Sequence, residues 1–321
     1  MRGSVVILGG AGYVGQAAAH AMVAAGLPVI VASRRLPPSL PAGASFVACD
    51  ARDRRVLAAA IAGAETVLNA IAASPIGMVA VATALAAVVP DSVRRIVQVS
   101  SLAVFGQTRG TLSETTTPVP PAAHFYARAK YRAEQILLAA SASATRTVIL
   151  RPGCIFGPAA PVWSDRVGRL LLAGRLGSLG PAGAGWCGIV PVRDVAQALL
   201  HAVVAKDGVA GIHHLVPAQR VTWNEFFACY AQQLGATVAI IGRARLCIES
   251  IYALAAGPGA DRITPTMLRL FRSHAVPVTT RAPLLSANTC LPLTASLSEA
   301  AAALLCRQAI LSTTCPDMAM P

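Results

Sequence analysis

Tyr126 and Lys130 stand four residues apart in the run Tyr126-Ala127-Arg128-Ala129-Lys130. On a helix, that spacing puts a phenol and an ammonium on one face. A free phenol titrates near about 10, too high to exchange protons readily at neutral pH. A neighbouring cation favours the phenolate and lowers that value. The pair could therefore take a proton from an alcohol, or give one to a carbonyl. Tyr-x-x-x-Lys is a common spacing and also fits a solvated helix face. Ser101 supplies context. It closes a predicted strand, Gln98-Val99-Ser100-Ser101, and the carboxyl ends of strands are where open α/β sheets bind ligands. Its hydroxyl could donate to a substrate oxygen, with Ser100 as a structural neighbour. Ser101, Tyr126 and Lys130 are the candidate catalytic set.

A second cluster reads as a phosphate cradle. Gly9-Gly10-Ala11-Gly12-Tyr13-Val14-Gly15 follows the first predicted strand and opens a helix. Gly9, Gly12 and Gly15 suit a tight turn, a backbone bare enough to approach a pyrophosphate, and close helix–strand packing. The helix start adds amide donors and a favourable dipole. The second strand ends Ser33-Arg34-Arg35. A dinucleotide binder that selects an unphosphorylated ribose places an acid there. Serine and arginine instead bind and neutralise a 2′-phosphate, so NADP is expected ahead of NAD. Plain surface charge is the competing account of Arg34 and Arg35. Asp50, followed by Ala51, could hold the adenine amino group or cap a helix before Arg52.

These groups need a scaffold, and the chain alternates short apolar strands with helices. Strands are expected at Ser4–Leu8, Pro28–Ala32, Ser45–Cys49, Glu65–Asn69, Arg94–Val99 and Arg146–Leu150. Helices are expected from the glycine loop to Gly26, and over Arg52–Ala62, Ile76–Val88 and His124–Ala142. Continuous apolar strands separated by helices imply an α/β fold, a doubly wound parallel sheet covered on both faces. Beyond Pro152 the rhythm breaks into Gly- and Pro-rich stretches. Further elements are expected at Val192–Val204, Ile212–Val216, Asn224–Leu234 and Leu297–Cys306. Residues 1–151 thus read as the cofactor-binding domain and 152–321 as a smaller α+β substrate-binding part, with 189–216 returning to the first.

Composition narrows the class. Of 321 residues, 55% are hydrophobic and 13% charged, the reverse of a disordered chain. The net charge of +13 is nearly all arginine, scattered singly or in pairs. No basic run supports nucleic-acid binding. Only Arg34, with Arg35 second, takes a task at this level. The uncharged segment Thr66–Val89 is long enough to span a bilayer, but Ala-rich and interrupted by Asn69, Ser74 and Pro75; it reads as a strand, a loop and a helix. That helix has Thr83 as its lone polar residue, so burial all round is expected. The eight cysteines, Cys49, Cys154, Cys187, Cys229, Cys247, Cys290, Cys306 and Cys315, lack metal or redox spacing; no metal site is expected. No signal peptide is read at the start, and a reducing cytoplasm is expected. His213 and His214 read as structural histidines, and His124 as a helix-start residue. Trp163 and Trp186 fall in segments expected over a cleft, either as core or as substrate contacts.

Taken in order, these motifs resemble the extended short-chain dehydrogenase/reductases, the NAD-dependent epimerase/dehydratase group with its Rossmann domain. The resemblance rests on Gly9–Gly15, Ser100–Gly106, Tyr126–Lys130, Arg151-Pro152-Gly153-Cys154-Ile155-Phe156-Gly157-Pro158 and Val190–Ala196. It implies a catalytic triad at Ser101, Tyr126 and Lys130. Asn69, Ala70, Ile71 and Ala72 would lie against the adenosine ribose, and Pro152, Gly153 and Ile155 beside the nicotinamide. A small-molecule substrate and a homodimer using the Ile76–Val88 helix are further implications. Cys187 and Gly188 stand where nucleotide-sugar members carry an Arg-Asp pair, and Gly153 and Cys154 where they often place Asn. Leu102 and Ala103 replace the acids that dehydratases need. Arg262–Leu270 resembles the dihydroflavonol reductase and 3β-hydroxysteroid dehydrogenase-like branch. The expected function is NADP-dependent hydride transfer between the nicotinamide and a ketone or secondary alcohol. A nucleotide-sugar epimerase or 4-keto-sugar reductase is the alternative, and a non-catalytic NADP sensor the third.

Overall fold

The computed structural model describes residues 3–106, 108–122, 124–140, 146–205, 209–217, 219–255, 261–273, 275–279 and 293–314. Cys290 and Cys315 lie outside them. The chain divides into two compact units. The first takes residues up to Gly153, then Val192–Val216 and a short stretch from Pro277. The second takes Cys154–Pro191, Pro217–Val276 and the C-terminal helix.

The first unit is built on β1 (Ser4–Leu8), α1 (Tyr13–Ala24), β2 (Val29–Ser33), β3 (Ala44–Ala48), α2 (Arg54–Ile61), β4 (Ala64–Asn69), α3 (Pro75–Val88), β5 (Arg95–Val99) and α4 (Phe125–Ala139). The strand Arg146–Pro152, the helix Val192–Val204 and the strand Gly211–Leu215 complete it. Val5, Val6, Ile7 and Leu8 are at most 1% exposed, because this strand is covered on both faces. Val6 and Leu8 join the core under α2, α3 and α4, and their neighbours alternate to the opposite face.

The seven strands form one sheet in the order Gly211–Leu215, Arg146–Pro152, β5, β4, β1, β2, β3. Every pairing within it is parallel. The chain winds outward from β1 to β3, returns to β4, and then winds the other way. The switch falls between β1 and β4, and the loops leaving their carboxyl ends border the crevice where such sheets take ligands.

Local chemistry sets several boundaries. α2 starts at Arg54 because the Asp53 carboxylate caps it, accepting from the Arg55 and Val56 amides at 2.9 and 3.2 Å. Asp50 is therefore not the cap. α3 follows a Ser74 cap and a proline in its first turn, both favoured there. Within the single chain α3 is covered on one side. Met78, Val81, Ala82 and Leu85 face the core, while Ile76 is 85% exposed and Thr83 and Ala87 are exposed. Among the described residues no helix is long and apolar enough to cross a membrane.

The second unit has an aromatic core of Phe156, Trp223, Phe226, Phe227, Tyr230 and Phe271. The helix Trp223–Gln233 is fixed at its start by a reciprocal capping box between Thr222 and Glu225. The C-terminal helix runs Leu293–Thr314, longer than its apolar centre suggests, and buries Leu297, Ala300, Ala301 and Leu304. Arginine accounts for much of the wiring. Arg169 pairs with Asp261, Arg175 with Glu249 and Arg307 with Asp165. In the first unit Arg95 donates to the carbonyls of Ala202, Val203 and Ala205. The scattered positive charge thus holds far more of the fold together than the sequence assigned to it.

Candidate functional site

The glycine loop sits at the carboxyl end of β1. Gly9 adopts φ +75°, a left-handed conformation that favours glycine, and its amide donates to the Ala32 carbonyl at 2.9 Å. The Gly12 amide returns to the Gly9 carbonyl at 2.9 Å, closing the turn. A Cβ at Gly15 would stand 2.3 Å from the Gly9 oxygen and 2.7 Å from the Gly10 Cα, so α1 packs on the turn only because Gly15 has none. A Cβ at Gly12 would meet the Gly9 oxygen alone, at 3.2 Å. α1 has no side-chain cap, and a helix start of this kind favours an anion. Tyr13 and Val14 begin the helix and are half-buried. The loop fits the pyrophosphate of a dinucleotide.

The loop after β4 is shaped by Asn69, which is 3% exposed. Its amide donates to Gln98 Oε1 at 2.8 Å and its oxygen accepts from the Ile71 amide at 3.2 Å. The Ala70 amide donates to the Leu8 carbonyl at 3.0 Å. Ile71 approaches closely enough that a Cβ on Gly9 would meet its Cγ1 at 2.8 Å. The structure thus brings Asn69–Ala72 and the glycine loop together, with Ala72 exposed.

At the end of β2 the Ser33 hydroxyl donates to the Arg35 carbonyl at 2.5 Å; its oxygen can still accept. Arg34 and Arg35 are exposed. Asp50 is engaged by its neighbour. Arg52 donates to its carboxylate through Nε at 2.9 Å and Nη2 at 2.5 Å, and these hydrogen bonds hold the acid down at about 2. Ala51 is buried beside it.

The catalytic candidates surround the end of β5. Ser101 caps a 3₁₀ turn, Leu102–Phe105, its hydroxyl accepting from the Ala103 amide at 3.1 Å. α4 packs against this turn. Lys130 is 3% exposed and donates to the Val99 carbonyl at 2.8 Å. Its ammonium lies 5.8 Å from the centre of the Tyr126 ring. Burial pushes the ammonium down to about 8, opposed by the Glu134 carboxylate. Tyr126 is 39% exposed, with the His124 ring 6.5 Å away. Pro152 pairs with Leu215 at the end of its strand, and the Gly153 amide donates to the Leu215 carbonyl at 3.2 Å. Ile155 belongs to the second unit, where it pairs with Val190.

Sequence reasoning missed Glu134 and gave Arg151 no role. Arg151 donates to Glu134 through Nε at 2.9 Å and Nη2 at 2.6 Å, and Ser100 donates to the same carboxylate. The available signal was the acid four residues beyond Lys130 on one helix face. His213 and His214 are both buried. His214 meets the Phe105 ring edge-on at 5.4 Å, and burial pushes it down to about 4, so it stays neutral.

In the second unit burial raises the thiols of Cys154 and Cys187, which removes both as nucleophiles. Trp163 packs on Trp223 with ring centres 5.3 Å apart and belongs to the core. Trp186 lies across Gly188, where a Cβ would meet its ring at 2.4 Å. It lines an open cleft of about 250 Å³ with Arg220, Thr222 and Val276.

The sequence profile of the NAD dependent epimerase/dehydratase family matches residues 5–216. No curated protein matches the chain. A UDP-glucose 4-epimerase structure superposes with a TM-score of 0.71 at 18% identity, covering 99% of this chain and 100% of the other. MoeE5 in complex with UDP-glucuronic acid and NAD gives 0.71 at 19%, covering 96% and 100%. UDP-glucuronic acid 4-epimerase from Bacillus cereus in complex with NAD gives 0.69 at 12%, covering 94% and 98%. At such identities the likeness speaks for the fold.

Proposed function

The chain belongs to the NAD-dependent epimerase/dehydratase family, and on that premise we propose that it moves a hydride between an NAD(P) nicotinamide and a secondary alcohol or ketone. The observation that carries this reading is the buried Lys130 ammonium, anchored on the Val99 carbonyl and 5.8 Å from the Tyr126 ring. A cation in that place lowers the proton affinity of the phenol. When bound, the nicotinamide supplies or accepts the hydride. Tyr126 gives its proton to the carbonyl oxygen in reduction and removes the hydroxyl proton in oxidation. Ser101 donates to the same oxygen and polarises the carbonyl. Gly9, Gly12, Gly15 and the first amides of α1 hold the pyrophosphate, with Tyr13 and Val14 alongside. Asn69–Ala72 would border the ribose, Asp50 and Ala51 the adenine, and Pro152 and Gly153 the nicotinamide.

The exposed Arg34 and Arg35, with Ser33, support NADP through a charge-assisted contact to the 2′-phosphate. The NAD-bound structures, one a UDP-glucuronic acid 4-epimerase and one holding UDP-glucuronic acid, support the second reading, epimerisation or 4-keto reduction of a nucleotide sugar. Cys187 and Gly188 themselves carry no charge, which supports an uncharged substrate, while Arg220 lines the cleft beside Trp186. The Arg262–Leu270 stretch, in which Thr264 caps the helix Pro265–Phe271, is the support for the reductase branch. The exposed apolar residues of α3 support a homodimer, and the cysteine pattern a reducing cytoplasm.

An NADPH- and NADH-oxidation screen over ketones and 4-keto sugar nucleotides tests the reading. Net consumption of NADPH is the expected result. Stoichiometric NAD retained through purification, with turnover and no net oxidation, establishes the epimerase. Full turnover by Tyr126→Phe on any substrate found refutes the proton-transfer role.

A further inference from the structure

Glu134 lies one helical turn beyond Lys130 on α4, and its side chain is 1% exposed. Its carboxylate gathers three donors: Arg151 Nε at 2.9 Å, Arg151 Nη2 at 2.6 Å and the Ser100 hydroxyl. Arg151 is fully buried, with its guanidinium 5.1 Å from the centre of the Phe105 ring. The Ser100 amide donates to the Leu150 carbonyl at 2.7 Å. At one carboxylate, therefore, three pieces meet: α4, the end of β5 and the strand that delivers Pro152, while the 3₁₀ turn after Ser101 joins through Phe105 on the Arg151 guanidinium.

A buried ion pair is a weak source of stability, since apolar replacements of equal volume are often neutral or better. What a two-pronged arginine–carboxylate contact does supply is direction. The pair defines one rotation of α4 about its axis, and Lys130 shares that face. We propose that Glu134 and Arg151 are positioning residues for the Tyr126–Lys130 pair, fixing α4 so that the Lys130 ammonium seats on the Val99 carbonyl and faces the phenol. This rests on the proton-transfer reading of Tyr126.

The charges around Lys130 fit the role. Glu134 is the anion that acts on it from its own helix, and Arg151 faces it across Glu134 from the neighbouring strand. On the far side of Arg151 stand the neutral His214 and Glu114, whose carboxylate accepts from the His214 amide. Removing the Glu134 charge lets the buried Lys130 shed its proton more easily. The phenol then loses its cation.

The test uses the full chain and the double variant Glu134→Gln/Arg151→Met, because removing either charge alone strands its partner. Near-ultraviolet difference absorbance against the matching Tyr126→Phe protein isolates one of the five tyrosines. On the proton-transfer reading, the wild-type Tyr126 phenol is expected to ionise more readily than that of the Lys130→Met variant. The double variant is expected to raise its proton affinity by about tenfold, one pKa unit, with far-ultraviolet dichroism and NADPH binding unchanged. Identical Tyr126 titration in wild type and a folded double variant overturns the proposal while leaving the proton-transfer reading intact. Ordinary titration of Tyr126 in both wild type and Lys130→Met overturns that reading itself. Should the double variant not fold, Glu134→Asp keeps the charge and withdraws it from Arg151 by one methylene; an unchanged phenol titration there overturns the proposal as well.

Discussion

Replacing Lys130 with methionine separates the cost of a buried charge from its use. The side chain is 3% exposed, and burial lowers its ammonium from 10.5 to about 8. At 1.36 kcal/mol per pKa unit, that drop is about 3 kcal/mol of strain carried by the folded state while the amine is charged. Between about pH 8 and 10.5 the unfolded chain keeps a proton on this residue that the folded chain has released. Stability contributed by Lys130 therefore rises with pH across that window. Methionine carries no proton, so its stability lacks this term. The variant also removes one of the two hydrogen bonds to the Val99 carbonyl, which Gln98 Nε2 still holds at 2.9 Å, at about 1 kcal/mol. At pH 7 the variant is expected to be the more stable protein by about 2 kcal/mol, and above the window the less stable by about 1 kcal/mol. Urea unfolding of both proteins, followed by circular dichroism from pH 7 to 10.5, reads the difference; other titrating groups cancel in the comparison. Parallel stability curves for the two proteins would refute the claim that Lys130 is held as a strained, buried ammonium.

Gly15→Ala is expected to lose about 1–3 kcal/mol, because its methyl collides with backbone 2.3 Å away that has nowhere to move. Gly12→Ala should melt near the wild-type temperature yet bind NAD(P)H at least about tenfold more weakly, a loss of about 1.4 kcal/mol; equal binding by titration argues against the phosphate role. Arg34→Ala is expected to weaken NADPH about tenfold, the worth of one charged hydrogen bond, and to leave NADH unchanged in the same fluorescence assay. Asp53→Ala removes the α2 cap and should cost about 1 kcal/mol in urea. Trp223→Ala opens the aromatic core of the second unit, where Phe271 lies 4.8 Å away, and should cost about 3–5 kcal/mol.

The chain's own order of residues determined the fold class. Buried runs such as Val5–Leu8 can only be strands covered on both sides, and the glycines after them have to be a turn opening a helix. The placement of Ser101 after a strand end and of Tyr126 and Lys130 on one helix was legible for the same reason: spacing and strand ends are local facts. Tertiary structure decided how each charge is used. Asp50 reads alike as an adenine ligand or a cap until Asp53 takes the cap. α3 looks apolar all round, but only its packing tells which side the chain itself covers. Most of all, the partners of the arginines lie far off in sequence. Arg95 reaches carbonyls more than a hundred residues away, and Arg151 meets Glu134 only because α4 is laid across the strands. Local sequence sets periodicity and turn chemistry, while a long side chain's charge is satisfied by whatever the fold brings within about 3 Å.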